Sequence, residues 1–186
     1  MRVFSKNDVV KGKSKIISEM AKGAVFIYPT DTIYGLGCDA TNDAAIGRIR
    51  ELKNRDAKPF SIIAPSLEWI TDNCEVNDKV RSWLVKLPGP YTLIMSLKKP
   101  SAVCAQTNMG MKTVGIRIPD HWISEIVASF GKPVITTSVN AAGSPPCGKL
   151  EELQAFAVDF IIYEGDRAGK PSTVVDLTKG GRVLRR

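Results

Sequence analysis

A single histidine, His121, occurs in 186 residues, and the four cysteines, Cys38, Cys74, Cys104 and Cys147, stand at least 30 residues apart. No CxxC pair exists. Transition-metal sites need clustered Cys or His ligands, so the reading is no protein-ligated metal, and one histidine makes a hydrolytic triad improbable. There is no GxSxG nucleophile elbow and no GxxxxGK[ST] phosphate loop, and Gly35-Leu36-Gly37 lacks the third glycine of a dinucleotide fingerprint. No run approaches the roughly 18 apolar residues of a membrane helix, and "MRVFSKNDVVKGKSK" holds no apolar segment of a signal peptide. The expectation is a cytoplasmic protein with reduced thiols and no membrane association. Aromatic residues make up only 7% and are not interleaved with the cations, so stacking platforms for single-stranded nucleic acid are scarce.

What is present reads as ordinary globular material, 44% hydrophobic and 24% charged, enough to bury a core in one domain over residues 1–186. The net charge of +7 favours an anionic partner such as a nucleotide or nucleic acid, or serves solubility alone. Helical spacing runs through 7–22 and is stopped by Gly23; 24–28 reads as a strand. Asn42 or Thr41, Ser66 and Asn77 are positioned to cap three further helices, with a short strand at 59–64 between the first two. Strands are predicted at 91–97, 113–118 and 134–140, with a helix over 120–130 closed by Gly131. A helix at 149–157 then precedes strands in "DFIIY", "STVVDL" and "RVLR". Alternating elements early and crowded strands late predict an α/β fold with a twisted, mixed sheet flanked by helices.

The stretch "YPTDTIYGLG" (28–37) sets three hydroxyl side chains and two glycines where a strand runs out, and sheets commonly bind ligands at such ends. In "TVGIRIP" (113–119), strand parity puts Val114, Ile116 and Ile118 on one face and Gly115 with Arg117 on the other. That second face is either a solvated sheet surface or a groove for an anionic group. "ELKNRDAKP" (51–59) ends a helix with Lys53, Arg55 and Lys58, which serve the helix dipole or clamp phosphate. In "VITTSVN" (134–140), Ser138 and Asn140 share a face if the strand persists; a plain turn is the alternative. Such Lys, Arg, Ser, Thr and Asn residues can orient a polyanion and stabilise a transferring phosphoryl group, but can do little proton abstraction. Nucleotidyl or acyl transfer with the substrate as its own nucleophile fits that set.

In order, "YPTDTIYGLGCDA", "KNR" (53–55), "PGPYT" (88–92), "VGIRIP", "TTSVNAAG", "PSTVVD" and the late "VLR" resemble the YrdC family, the threonylcarbamoyladenylate synthases. The resemblance implies a basic concave groove and formation of threonylcarbamoyl-AMP and pyrophosphate from L-threonine, bicarbonate and ATP, for tRNA modification. It implies that Lys53, Arg55, Thr113, Asn140 and Arg185 hold ATP, with Lys53 and Arg55 closest to the chemistry. Thr32, Arg117, Ser138 and Ser172 would surround threonine. Replacing Lys53 or Arg55 should then weaken ATP binding and leave the fold intact. Mg2+ would be delivered with ATP, since no carboxylate cluster accompanies the motifs. Downstream tRNA-modifying transferases are the implied partners. The family's usual Ser-Ala-Asn reads Ser138-Val139-Asn140 here, Asp56 stands where proline often follows the arginine, and the chain corresponds to the short form. Two other readings use the same groove: an RNA-binding module contacting tRNA or double-stranded RNA, and a paralogue making the carbamoyl-adenylate of another acceptor.

Overall fold

The computed structural model describes residues 1–54, 58–141 and 143–184. Short strands and helices alternate through the first half: β1 (Arg2–Phe4), α1 (Lys6–Lys11), α2 (Lys13–Ala21), β2 (Phe26–Tyr28), β3 (Gly35–Gly37) and α3 (Asp43–Lys53). Next come β4 (Ser61–Ile63), α4 (Leu67–Asn73), α5 (Asp78–Leu84), β5 (Tyr91–Ser96), α6 (Ala105–Asn108) and β6 (Thr113–Arg117). The chain continues through α7 (Ile123–Phe130), β7 (Val134–Ser138), α8 (Leu150–Gln154), β8 (Phe160–Ile162), β9 (Thr173–Asp176) and β10 (Arg182–Leu184). The helix starts follow from side chains able to satisfy free backbone donors. Asn42, Ser66 and Asn77 accept from the amides of Ala45, Trp69 and Val80, and Gly131 closes α7 at φ 75°.

All ten strands join one mixed sheet in the order β1-β8-β2-β3-β7-β4-β6-β5-β9-β10. Strand alternation sends its residues into two cores. Phe26, Tyr28, Ile63, Val134, Phe160 and Ile162 pack with Val9 of α1, Ile16 and Met20 of α2, and Ile123, Ile126 and Val127 of α7. Their neighbours Ile27, Ile62, Ile135 and Ile161 point the other way, toward Ile46 and Ile49 of α3, Ile70 of α4 and Leu84 of α5. Helices therefore cover both faces near β2, β8 and β7. Over β6, β5 and β9, the face that packs on α1, α2 and α7 elsewhere contributes nothing to that apolar cluster. It carries Arg117, Thr92, Ile94 and Asp176 instead, and this uncovered half of one face positions the candidate site. Among the described residues no helix is long and apolar enough to cross a membrane.

Beyond the short β1 and α6, which the sequence did not announce, and β7, which ends at Ser138 rather than at residue 140, three features depart from the sequence reading. The helix expected over 7–22 breaks at Gly12, giving α1 and α2. The helix expected from residue 120 begins at Ile123, with Trp122 as its N-cap and the His121 and Trp122 side chains on Glu164. The largest departure is β3, a strand whose two outer residues are glycines. Tyr28 pairs with Gly35 and lays its ring where a Cβ of Gly35 or Gly37 would sit, while its hydroxyl donates to the Ile135 carbonyl at 2.9 Å. The glycines are thus there for an aromatic ring and for the neighbouring strand β7, whose Ile135 carbonyl oxygen a Cβ at Gly37 would also strike.

Candidate active site

The register builds the site. Ser61 of β4 pairs with Gly115 of β6, Gly115 with Ile94 of β5, and Ile94 with Asp176 of β9, so these four stand level across the sheet. Gly115 supplies no side chain in that row; a Cβ there would meet the Ser61 hydroxyl at 2.6 Å and the Thr92 methyl at 3.2 Å. On one side lies a cavity of about 270 Å³ whose lining includes Thr92, Arg117, Thr136, Ser138 and Ser172. On the other lies a larger one of about 590 Å³ whose lining includes Lys58, Ile94, Met111, Thr113, Val174 and Asp176. Both share Pro59, Phe60 and Ser61. Two residues along a strand advance about 6.6 Å, so Arg117 on the smaller cavity and Thr113 on the larger one lie about 13 Å apart along β6.

At the small end, Arg117 is buried and ion-paired through Nη2 with Asp31 Oδ1, while Nη1 donates to Thr32 Oγ1 at 3.3 Å. The other Asp31 oxygen accepts from the Asp120 amide at 3.1 Å, which fixes the carboxylate from behind. Thr30 orders the same loop: its hydroxyl accepts from the Thr32 amide at 3.1 Å and donates to the Ile33 carbonyl at 2.7 Å. Across the cavity the hydroxyls of Ser172 and Thr92 lie 2.7 Å apart. The structure therefore brings Arg117, Ser138 and Ser172 onto one cavity, with Thr32 against Arg117. The pocket is polar, with one guanidinium and several hydroxyls. Such a lining suits a small zwitterion with a hydroxyl.

Lys53 differs from the sequence expectation of a clamp whose loss spares the fold. It is 4% exposed, and its ammonium donates to the carbonyls of Ser138 and Asn140, each at 2.8 Å, and to Asn140 Oδ1 at 2.6 Å. Ser138 Oγ donates to that same Oδ1 at 2.6 Å, and Asn140 Nδ2 reaches the carbonyls of Ala141 and Ser144. The end of α3 and the turn after β7 are in effect one polar unit. Thr113 stands apart from it, in the larger cavity. Arg55 and Arg185, also expected at the nucleotide, lie outside the described residues. Among the described residues no three His, Cys, Asp or Glu side chains group as metal ligands.

A segment from Tyr163 to Ser172 crosses the loop at 30–32. Arg167 Nη1 donates to the Thr30 carbonyl at 2.7 Å, and Gly169 passes so close to the Thr32 carbonyl that a Cβ would overlap it. Glu164 accepts from Trp122 Nε1 at 2.7 Å and Arg167 Nη2 at 2.9 Å, and lies 2.9 Å from His121 Nε2. Burial pushes the Glu164 carboxyl up, but the hydrogen bonds from Trp122 and His121 hold it below the usual carboxylate range. Burial likewise lowers His121, against the pull of Glu164. Its Nδ1 accepts from the Ile123 amide at 3.3 Å, which requires that nitrogen to be unprotonated. Sequence reading singled out neither Asp31, Ser61, Thr92 and Asp176 nor Arg167. Thr92 sits in the quoted "PGPYT", and parity with the buried Leu93 was the available signal.

A threonylcarbamoyl-AMP synthase of Vibrio campbellii is 31% identical over 95% of this chain and 99% of its own length. The crystal structure of E. coli YciO superposes with a TM-score of 0.86 at 29% identity, covering all of this chain and 96% of that one. P. abyssi Sua5 complexed with L-threonine superposes with a TM-score of 0.85 at 26% identity over 96% of this chain, which spans 54% of that longer protein. Residues 18–186 match the Sua5/YciO/YrdC family, described as "Telomere recombination", and the chain belongs to that family.

Proposed function

We propose that this chain is an enzyme that makes threonylcarbamoyl-AMP and pyrophosphate from L-threonine, bicarbonate and ATP, a nucleotidyl transfer. The observation that carries the reading is the pair of adjacent cavities, a polar one of about 270 Å³ and a larger one of about 590 Å³, that share Pro59, Phe60 and Ser61. A product with an amino-acid end and a nucleoside end joined by a small phosphoryl link needs that division. Relatives named threonylcarbamoyl-AMP synthase and the L-threonine complex of P. abyssi Sua5 support it.

On this reading Arg117 takes the threonine carboxylate, and Thr32, Ser138 and Ser172 offer partners to its hydroxyl. The threonine amine combines with bicarbonate to give a carbamate and water. A carbamate oxygen then attacks the α-phosphorus, and the bond to pyrophosphate breaks. The nucleophile is already an anion, so no strong base is needed; positioning and charge stabilisation suffice. Lys53 would act largely by holding Asn140 and the Ser138 carbonyl in place, with Thr113 at the nucleoside side. Arg55 and Arg185 are assigned to phosphate by resemblance alone. Mg2+ is taken to arrive on ATP, whose oxygens and waters satisfy its octahedral shell. The product would pass, in the cytoplasm, to a transferase that modifies tRNA.

The test is incubation with Mg-ATP, bicarbonate and radiolabelled threonine. Threonine- and bicarbonate-dependent pyrophosphate release with a labelled adduct of AMP is expected. Release stimulated by another amine in place of threonine would replace the acceptor, and no release with any amine would remove the activity.

A further inference from the structure

Asp176 is a buried carboxylate, 7% exposed, on the wall of the larger cavity. Its Oδ1 accepts from the Thr178 amide at 3.0 Å and from the Thr178 hydroxyl at 2.6 Å, which fixes the side chain. Among the described residues its second oxygen accepts no hydrogen bond and joins no ion pair. That oxygen is not among the fully enclosed unpartnered polar atoms, so it touches open space at the cavity and is free to accept from a donor that a ligand brings. Asp176 lines this cavity together with Ile94, Met111, Val174 and Leu184, the polar Thr113 and Thr178, and Lys58 and Lys179. An apolar wall suits a base, the lysines suit phosphate, and a fixed carboxylate oxygen on the same wall can accept hydrogen bonds from hydroxyl donors. A ribose supplies these as vicinal hydroxyls.

We propose that Asp176 is a specificity residue that accepts hydrogen bonds from the ribose hydroxyls of the nucleotide, so that the enzyme prefers ATP over deoxy-ATP. This rests on the nucleotide reading of the groove and deepens it. Asp176 is level with Gly115 and Ser61 but two strands from Gly115, so the ribose would stand within the larger cavity and the α-phosphorus would lie toward the residues the two cavities share. Among the described residues no carboxylate lines the smaller cavity.

The experiment compares ATP with 2′-deoxy-ATP and 3′-deoxy-ATP in threonine-dependent pyrophosphate release, for the unaltered protein and for Asp176→Asn. The amide oxygen of Asn keeps the Thr178 bonds, and thermal unfolding checks that the fold is retained. A hydrogen bond to a charged acceptor is worth about tenfold or more in KM, so the unaltered protein should favour ATP over one deoxy analogue by that factor. Asp176→Asn should raise KM for ATP by a similar factor, leave the deoxy analogue nearly unchanged, and spare KM for threonine. If the variant weakens ATP and both analogues equally, or only raises the Mg2+ requirement, the ribose role is overturned. An unchanged ATP preference overturns it too. Failure of the underlying reading looks different: the unaltered protein would then release no pyrophosphate with any nucleotide.

Discussion

Arg117 and Asp31 illustrate how a single residue carries two duties. Their side chains are 6% and 10% exposed, and a buried ion pair is tolerated only when both members are held and hydrogen-bonded. Parity alone put Arg117 on the face away from Val114 and Ile116, which left open a solvated surface or a groove; the cavity that Arg117 lines decides for the groove. Asp31 was not, since an acid in a polar loop looks like any turn residue and its partner is 86 positions away. Replacing Arg117 with Met should abolish amino-acid-dependent pyrophosphate release and cost about 3 kcal/mol of stability, since Asp31 is left buried without its counterion. Adding Asp31→Asn should restore most of the stability and none of the activity. Denaturant unfolding read beside turnover checks this; recovery of both together would assign Arg117 a purely structural role. In the unaltered protein threonine should be preferred over serine by the worth of one methyl, about 1–3 kcal/mol. Valine, which leaves buried hydroxyls unpaired, should fall roughly 10⁴-fold behind.

Elements were legible where local chemistry decides them and illegible where distant chain does. Asn42, Ser66, Asn77 and Gly131 mark helix ends by satisfying or freeing the nearest backbone groups, and all four act where expected. Strand β3 was hidden because glycines disfavour strands unless something fills the missing side chains, and the filler, Tyr28, lies on another strand. The short β1 was hidden for a similar reason: three residues exist as a strand only because β8 pairs with them. The end of α3 is the sharper case. Its lysine reads locally as a helix-dipole cation, worth at most about 1 kcal/mol at an exposed position. Buried against the turn after β7, Lys53 instead joins two elements 85 residues apart. Lys53→Met should therefore cost about 2–4 kcal/mol, leaving the carbonyls of Ser138 and Asn140 without their donor, and should raise KM for both ATP and threonine. A variant with unchanged denaturation midpoint and a defect confined to ATP would return Lys53 to the role of a phosphate clamp.

At the scale of the whole molecule, the segment from Tyr163 to Ser172 ties β8, the loop before β3 and the start of α7 together through one cluster of charges. His121 faces Glu164 and Arg167, with Asp31 also near it, and Lys6 stacks over the adjoining Trp122. Because burial lowers the His121 pKa below its ordinary 6.5, the unfolded chain takes up a proton near that pH which the folded protein refuses. Stability must then fall as pH drops through 6.5 and below. Glu164 adds to the trend further down: held below 4.5 in the fold, it binds its proton later than the unfolded chain does, and stability is lost again in the carboxylate range. Both steps should loosen the strap that carries Pro171 and Ser172 onto the smaller cavity, so on the proposed reading KM for threonine should rise across the first. Unfolding free energies at pH 8, 6.5 and 5.5 should decline for the unaltered protein and stay nearly flat for His121→Gln, with both declining together in more acid solution. Stability that instead rises between pH 8 and 5.5 would mean that His121 is charged in the fold and that its attraction to Glu164 outweighs its burial.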